Sequence, residues 1–224
     1  MNTNKDSSTT ILIIKSNLDH NQFNTLMALI SSEKQDRIRR YRLISDAHNS
    51  LIGDVVVRAE LCKATGLQNN QLRFSTNKYG KPFLINANEI HYNISHSDKF
   101  VVCAFSSDPI GVDVESVKPI DTAIADRFFS LDEIDYIGDS ACGSENERFY
   151  KIWTMKESYI KWNGMGLSKK LNSFSVLKTL SNFPPHYHLV HKDNEAICHA
   201  CTTIKQKPEV KYIQIEELLE NLPP

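Results

Sequence analysis

A short apolar segment that carries two acids, residues 110–115, constrains this chain more than any other. It reads Ile-Gly-Val-Asp-Val-Glu and predicts a strand. Because successive strand side chains point to opposite faces, Asp113 and Glu115 share one face and the aliphatic residues share the other. Two neighbouring carboxylates repel each other unless a positive charge lies between them. Oxygen-only ligands favour Mg²⁺, which takes one or two carboxylates and completes its shell with water and substrate phosphate.

The bulk composition is that of a folded domain. The chain has 224 residues, of which 41% are hydrophobic and 24% charged, so it can bury a core. A net charge of −1 gives no reason to expect a nucleic-acid partner, and no apolar run approaches membrane-spanning length. The polar first ten residues do not resemble a signal peptide, and the five cysteines are scattered. We therefore expect a cytoplasmic protein with reduced thiols.

Helical periodicity predicts two long helices, at residues 46–64 and 147–162, each followed by a glycine that ends it. Ser130-Leu131-Asp132-Glu133 has the capping-box pattern, so a shorter helix should begin at Leu131. Strands are predicted at residues 11–14, 72–75, 90–94, 100–105, 174–177, 187–190, 196–203 and 210–215. A turn is expected at residues 79–83, and a polar hairpin connection at residues 95–99.

Each half of the chain places strands around one long helix. The pattern favours an α+β fold in which two similar α/β subdomains form a pseudo-twofold monomer, with the active site at their interface. The predicted units are residues 1–108 and 109–224.

Two helical segments allow more than one interpretation. Lys34, Arg37 and Arg40 lie three residues apart behind a Ser cap, which suits either a solvated basic face or a phosphate grip. That segment alone favours the solvated face. Glu157 and Lys161 are four apart and share a helix face. They could form a surface ion pair, or supply a third metal ligand or base and a phosphate-binding lysine.

Six motifs occur in an order that resembles one enzyme family. They read SSEKQDRIRRY, DAHNSLIGDVVVR, YGKPF, NISHSD, GVDVE and WTMKESYIKWNGMGL. The chain resembles the phosphopantetheinyl transferases, and most of all their surfactin-synthetase-activating subgroup, over roughly residues 31–174. Several motifs in the right order are far more specific than any one of them.

The resemblance implies transfer of the phosphopantetheine arm of coenzyme A to a serine of an apo acyl or peptidyl carrier protein, with release of adenosine 3',5'-bisphosphate. Asp113, Glu115 and Glu157 would bind Mg²⁺. Lys161 would neutralise the pyrophosphate and stabilise the leaving group. Peptide-synthetase, polyketide and fatty-acid carriers all remain open, although the subgroup favours carriers of secondary metabolism such as antibiotic biosynthesis.

The resemblance also implies contacts with coenzyme A. Ser95 and His96 would bind its phosphate oxygens, whereas the ribose 3'-phosphate and the adenine would be held by a second group: Lys34, Arg37 and Ser50 for the phosphate, and Tyr79, Gly80 and Lys81 for the base. The proton of the carrier serine would pass to Glu157, directly or through a metal-bound water, with Glu133 a weaker candidate for organising that water.

The chain departs from the family pattern at some positions. Met165 stands where many relatives have lysine, and Asn49 where they have a basic residue, so two cations near the substrate are missing. Ile124 and Phe128 could present an apolar face to the carrier or pack in the core. Two other functions fit the same residues: a different Mg²⁺-dependent phosphate or nucleotide enzyme, and a non-catalytic module that binds coenzyme A or a carrier.

Overall fold

The computed structural model describes residues 8–87, 89–141, 143–178 and 184–223. Its strands are β1 (Thr9–Lys15), β2 (Phe74–Thr76), β3 (Pro82–Leu84), β4 (His91–Ser97), β5 (Phe100–Ser106), β6 (Ile110–Ser116), β7 (His186–Lys192), β8 (Ala196–Thr202) and β9 (Glu209–Ile213). Its α-helices are α1 (His20–Met27), α2 (Ser32–Arg39), α3 (Ile44–Thr65), α4 (Ala125–Phe128), α5 (Leu131–Gly138), α6 (Glu145–Asn163) and α7 (Ile215–Glu220). None of the helices described is long and apolar enough to cross a membrane.

The two halves repeat one connectivity. In the first, β1 is followed by the long helix α3 and then by β4 and β5, which form a sheet in the order β4-β5-β1. In the second, β6 is followed by α6 and then by β7 and β8, in the order β7-β8-β6. Neighbouring strands run antiparallel in both units. The α+β class and the pseudo-twofold arrangement are therefore confirmed.

Strand β9 departs from this repeat. It pairs in parallel with β1 and so extends the first sheet to the order β4-β5-β1-β9. The helix that follows it packs Ile215 and Leu218 into the core of the first half. The division into residues 1–108 and 109–224 stays a prediction. Strand β9 and helix α7 belong to the second range by sequence but pack with the first half.

The two sheets meet along β4 and β6. These strands belong to different sheets, yet alternate side chains of β4 accept hydrogen bonds from alternate amides of β6. The donor and acceptor pairs are Val112–Asn93 at 2.8 Å, Val114–Ser95 at 3.3 Å and Ser116–Ser97 at 3.1 Å. Polar side chains thus satisfy the buried amides of an edge strand that has no main-chain partner on this side. We call this line of contact the seam.

Both long helices end at a glycine, as predicted. Gly66 and Gly164 adopt left-handed backbone with φ of 71° and close their helices with a hydrogen bond, a conformation that favours glycine. The turn at residues 79–83 is confirmed in part: Gly80 has φ of 89°, but Pro82 already begins β3.

Two local predictions were wrong. Ser95, His96 and Ser97 belong to β4, and the hairpin turn is only Asp98–Lys99. Ser95 and Ser97 are polar because they serve the seam, not because they form a loop. The expected strand at 174–177 is absent from the described residues. There the amide of Val176 donates to a carboxylate rather than to a neighbouring strand.

Candidate active site

Asp113 lies on β6 at the seam and is only 4% exposed. Its Oδ1 accepts hydrogen bonds from Lys161 Nζ at 2.6 Å and from Ser95 Oγ at 3.0 Å. Its Oδ2 is buried and has no hydrogen-bond partner. Burial raises the pKa of Asp113, although Lys161 and Ser95 oppose that shift. One oxygen of a buried carboxylate is therefore left for a further positive group.

Two more acids share this environment. Glu115, two residues along β6, accepts a hydrogen bond from Ser97 Oγ at 2.9 Å. Glu157 projects from α6. Burial raises the pKa of both glutamates, and the negative charge of Asp113 raises each further. The three acids therefore lie in one electrostatic environment that is short of positive charge.

The predicted catalytic and metal-binding residues line one pocket of about 300 Å³. Its walls are Ile94, Ser95, His96, Asp113, Glu115, Trp153, Glu157 and Lys161. The first half supplies the β4 residues, and the second supplies the acids and the lysine. The structure thus brings together six residues that sequence reasoning selected from three separate motifs.

Gly111 explains how α6 comes so close to β6. A Cβ atom at this position would lie 2.1 Å from the carbonyl oxygen of Ser158 and 2.2 Å from the amide nitrogen of Trp162. Both are backbone atoms that cannot move aside cheaply, so only glycine allows the helix to lie directly on the strand. This contact places Glu157 and Lys161, one helical turn apart, opposite the strand acids.

The donor set suits a hard divalent cation. All three acids offer oxygen ligands, one buried oxygen has no partner, and burial raises the pKa values of Asp113 and Glu157. Across the described residues, however, no three His, Cys, Asp or Glu side chains are close enough to hold a metal ion. Lys161 forms an ion pair with Asp113 Oδ1 and so neutralises part of the negative charge that a cation would otherwise neutralise. The oxygen ligands of these residues suit Mg²⁺, but their positions in this structure do not form a three-ligand site.

The predicted 3'-phosphate residues lie outside this pocket. Lys34 on α2 forms an ion pair with Asp54 of α3, and its ammonium lies 5.6 Å from the centre of the Phe74 ring. Arg37 is exposed and Ser50 is half-buried. These residues of α2 and α3 are not brought into contact with the acids.

Tyr79 and Gly80 are exposed in the turn between β2 and β3. Lys81 is different, because its Nζ donates to the carbonyl oxygens of Ile110 at 2.9 Å and Trp162 at 3.3 Å. It also borders a second cavity of about 450 Å³, which is lined in part by Phe83 and Trp162.

The suggested role of Glu133 was wrong. Its side chain is fully buried and accepts hydrogen bonds from the amides of Ser130 at 2.9 Å and Val176 at 2.7 Å. It also forms a 2.7 Å ion pair with Lys156, which is equally buried. A carboxylate so enclosed cannot organise a water at the pocket.

Sequence reasoning missed Lys156 and the seam residues Asn93 and Ser97. The signal for Lys156 was its position between Ile152 and Ile160, on the apolar stripe of α6. A lysine on such a stripe must find a buried partner.

The segment after β6 is partly core and partly surface. Phe129 is 3% exposed, and Phe128 packs edge-on against Trp153. Ile124 and Leu131 are 36% and 81% exposed. An apolar surface is therefore present here, but Leu131, which we had not selected, is its most exposed member.

The chain matches known protein families over most of its length. Residues 17–108 match the model of the 4'-phosphopantetheinyl transferase N-terminal family, and residues 109–211 match that of the 4'-phosphopantetheinyl transferase superfamily. The chain is 46% identical over 150 residues to the 4'-phosphopantetheinyl transferase Sfp of Bacillus subtilis, covering 67% of each chain. It is 45% identical over 159 residues to the transferase ffp of Bacillus subtilis, covering 71% of each. It is 40% identical over 165 residues to the transferase gsp of Aneurinibacillus migulanus, covering 74% of this chain and 69% of that one. The resemblance predicted from the motif order is confirmed.

Proposed function

The chain belongs to the 4'-phosphopantetheinyl transferase superfamily, and on that premise we propose that it transfers the 4'-phosphopantetheine arm of coenzyme A to a serine of an apo acyl or peptidyl carrier protein. Adenosine 3',5'-bisphosphate is the other product. The observation that carries the proposal is the pocket in which Asp113, Glu115, Glu157 and Lys161 meet. We propose further that the protein acts as a monomer in the cytoplasm.

In this proposal Asp113, Glu115 and Glu157 hold Mg²⁺, which when bound neutralises charge on the pyrophosphate of coenzyme A. The unpartnered Oδ2 of Asp113 supports that role. Lys161 then exchanges its bond with Asp113 for a phosphate oxygen and stabilises the leaving group.

The carrier serine must lose its proton as it attacks phosphorus. Glu157 is the proposed acceptor, directly or through a metal-bound water, because it lines the pocket beside Lys161. His96 lies at the rim of the pocket, where partial loss of hydration and the charge of Lys161 lower its pKa. At neutral pH it is therefore an uncharged hydrogen-bond donor for a phosphate oxygen.

The remaining contacts with coenzyme A are proposed on the first half. Arg37 and Lys34 are proposed to bind the ribose 3'-phosphate, and Lys34 would share its charge between that phosphate and Asp54. Ser50 assists them, and the turn at Tyr79 and Gly80 is proposed to border the adenine. On the second half, the exposed side chains of Ile124 and Leu131 suit an apolar helix of the carrier.

One assay tests the function. The protein is incubated with coenzyme A, Mg²⁺ and apo carriers from peptide-synthetase, polyketide and fatty-acid systems, and each carrier is weighed by mass spectrometry. We expect a gain of one phosphopantetheine, lost in Asp113→Asn and retained in Asp126→Asn, which changes an exposed acid of α4. No gain on any carrier would refute the proposal. Binding of coenzyme A without transfer would favour a non-catalytic module.

A further inference from the structure

One lysine of the first half holds the two elements that carry the active-site acids. Lys81 Nζ donates to the carbonyl oxygens of Ile110 and Trp162, at 2.9 and 3.3 Å. Ile110 begins β6, three residues before Asp113, and Trp162 directly follows Lys161 near the end of α6. A single ammonium group therefore joins the strand and the helix. Lys81 is not among the residues that line the acid pocket.

Asn77 adds a second contact from the same turn. Its Nδ2 donates to the carbonyl oxygen of Gly164 at 2.9 Å, and its Oδ1 accepts from the amides of Tyr79 and Lys81, both at 2.9 Å. The last carbonyls of a helix have no partner within the helix, and a cation there also meets the negative end of the helix dipole. The turn at residues 77–81 thus caps α6 from outside.

Among the described residues, Lys81 lacks the acid partner that a lysine removed from water normally has. Lys81 is half-buried, and no ion pair joins it to a carboxylate in the part of the chain that the structure describes. The titratable groups that face it are Cys201 on β8 and His91 on β4, with Asp108 near that histidine. Burial lowers the pKa of Lys81 to about 8. A buried cation without an acid partner costs stability, and a pKa shifted in this way is typical of functional sites.

We propose that Lys81, assisted by Asn77, is a positioning residue for transfer. It fixes the last turn of α6 on β6, so that the glutamate and lysine of the helix face the acids of the strand. The inference rests on the proposed function. It gives Lys81 a role in turnover that differs from contact with the adenine of coenzyme A.

The first test separates these roles by kinetics. Lys81→Met keeps most of the side-chain volume and removes the charge. The matched control is Lys78→Met, at an exposed lysine of the same turn whose ammonium lies over the Tyr79 ring. We expect Lys81→Met to lower kcat about tenfold per folded molecule and to change KM for coenzyme A less than about twofold. Lys78→Met should match the wild type.

The pH profile gives a further readout. The kcat of the wild type should fall as the pH rises through about 8, where Lys81 loses its proton, and Lys81→Met should lack that decline. A raised KM with unchanged kcat would overturn the inference in favour of an adenine contact. A loss of kcat that only follows a lower folded fraction would overturn it in favour of a purely structural role.

The second test does not depend on turnover. Hydrogen exchange is measured at the amides of residues 160–164 without coenzyme A. Lys81→Met and Asn77→Ala should both exchange faster there than the wild type and Lys78→Met. Unchanged exchange in both variants would overturn the inference. If the wild type modifies no carrier but exchange still responds, the proposed function fails while the contact that holds α6 on β6 stands.

Discussion

Replacing Glu133 by glutamine should weaken the fold and spare the chemistry. Glu133 and Lys156 form an ion pair in which neither side chain is exposed. Lys156 also donates to the carbonyl oxygens of Leu171 at 2.7 Å and Phe174 at 2.6 Å. The pair therefore ties α5 and α6 to the segment that follows them. In Glu133→Gln, Lys156 keeps its hydrogen bonds to these two carbonyl oxygens but loses its only ion pair with a carboxylate among the residues described.

The size of the effect follows from that burial. Removing one partner of a buried ion pair destabilises a protein by about 3–5 kcal/mol, because the remaining charge has no compensation. For a chain of this length, each kcal/mol lowers the melting temperature by about 2–4 °C. We therefore expect Glu133→Gln to melt about 6–20 °C below the wild type. Glu133→Gln with Lys156→Met should recover part of the loss, since it leaves no buried charge.

The assay combines calorimetry with kinetics well below the melting transition. The control is Asp135→Asn, an exposed acid on the same helix, which should melt close to the wild type. Per folded molecule, Glu133→Gln should keep kcat and both Michaelis constants. A variant that melts like the wild type but loses kcat would refute this reasoning and return Glu133 to the chemistry.

Three further predictions concern the site. Gly111→Ala should lower both the melting temperature and kcat, because the Cβ of the alanine would collide with the backbone at Ser158 and Trp162. Calorimetry measures the first effect and the carrier assay the second. An unchanged variant would show that α6 does not need this close approach. Burial raises the pKa values of Glu115 and Glu157 above the usual 4.5. Between pH 4.5 and these raised values, the folded protein therefore binds more protons than the unfolded chain. The free energy of unfolding in EDTA should fall across that window, and Mg²⁺ should reduce the fall, which urea titrations at a series of pH values would show; an equal fall with Mg²⁺ would contradict binding to these acids. Leu131→Glu should raise KM for the carrier several-fold without changing KM for coenzyme A, and an unchanged KM for the carrier would remove this surface from docking.

The sequence predicted the elements better than the contacts between them. The helices behind Gly66 and Gly164 were predictable because periodicity and a left-handed glycine are local signals. That Asp113 and Glu115 share one face was predictable because side chains alternate along a strand. The polarity of Ser97 predicts a loop. In the structure its hydroxyl bonds to a strand of the other sheet, and a local pattern cannot distinguish that use from exposure to water.

The error at Glu133 was of another kind, because the necessary signal was present. The capping-box pattern already assigned the Glu133 side chain to the backbone of Ser130, and a carboxylate so engaged is poorly placed to act on a substrate. For Lys81 no such signal exists. Its acceptors lie 29 and 81 residues further along the chain, so its role depends wholly on how the halves pack.

The duplicated fold also explains why one seam, and not two, forms a site. In each half, the strand before the long helix lies at the edge of its three-stranded unit, as β1 and β6 do. The free edge of β6 meets side chains of β4, which leaves Asp113 and Glu115 facing a pocket. The corresponding edge of β1 carries no acids and is closed by main-chain pairing with β9. Strand β9 in turn contacts β7 through a 2.8 Å hydrogen bond between Tyr212 and His191. A strand therefore fills the second edge where the first has a polar pocket, and the pseudo-symmetry of the fold does not extend to its chemistry.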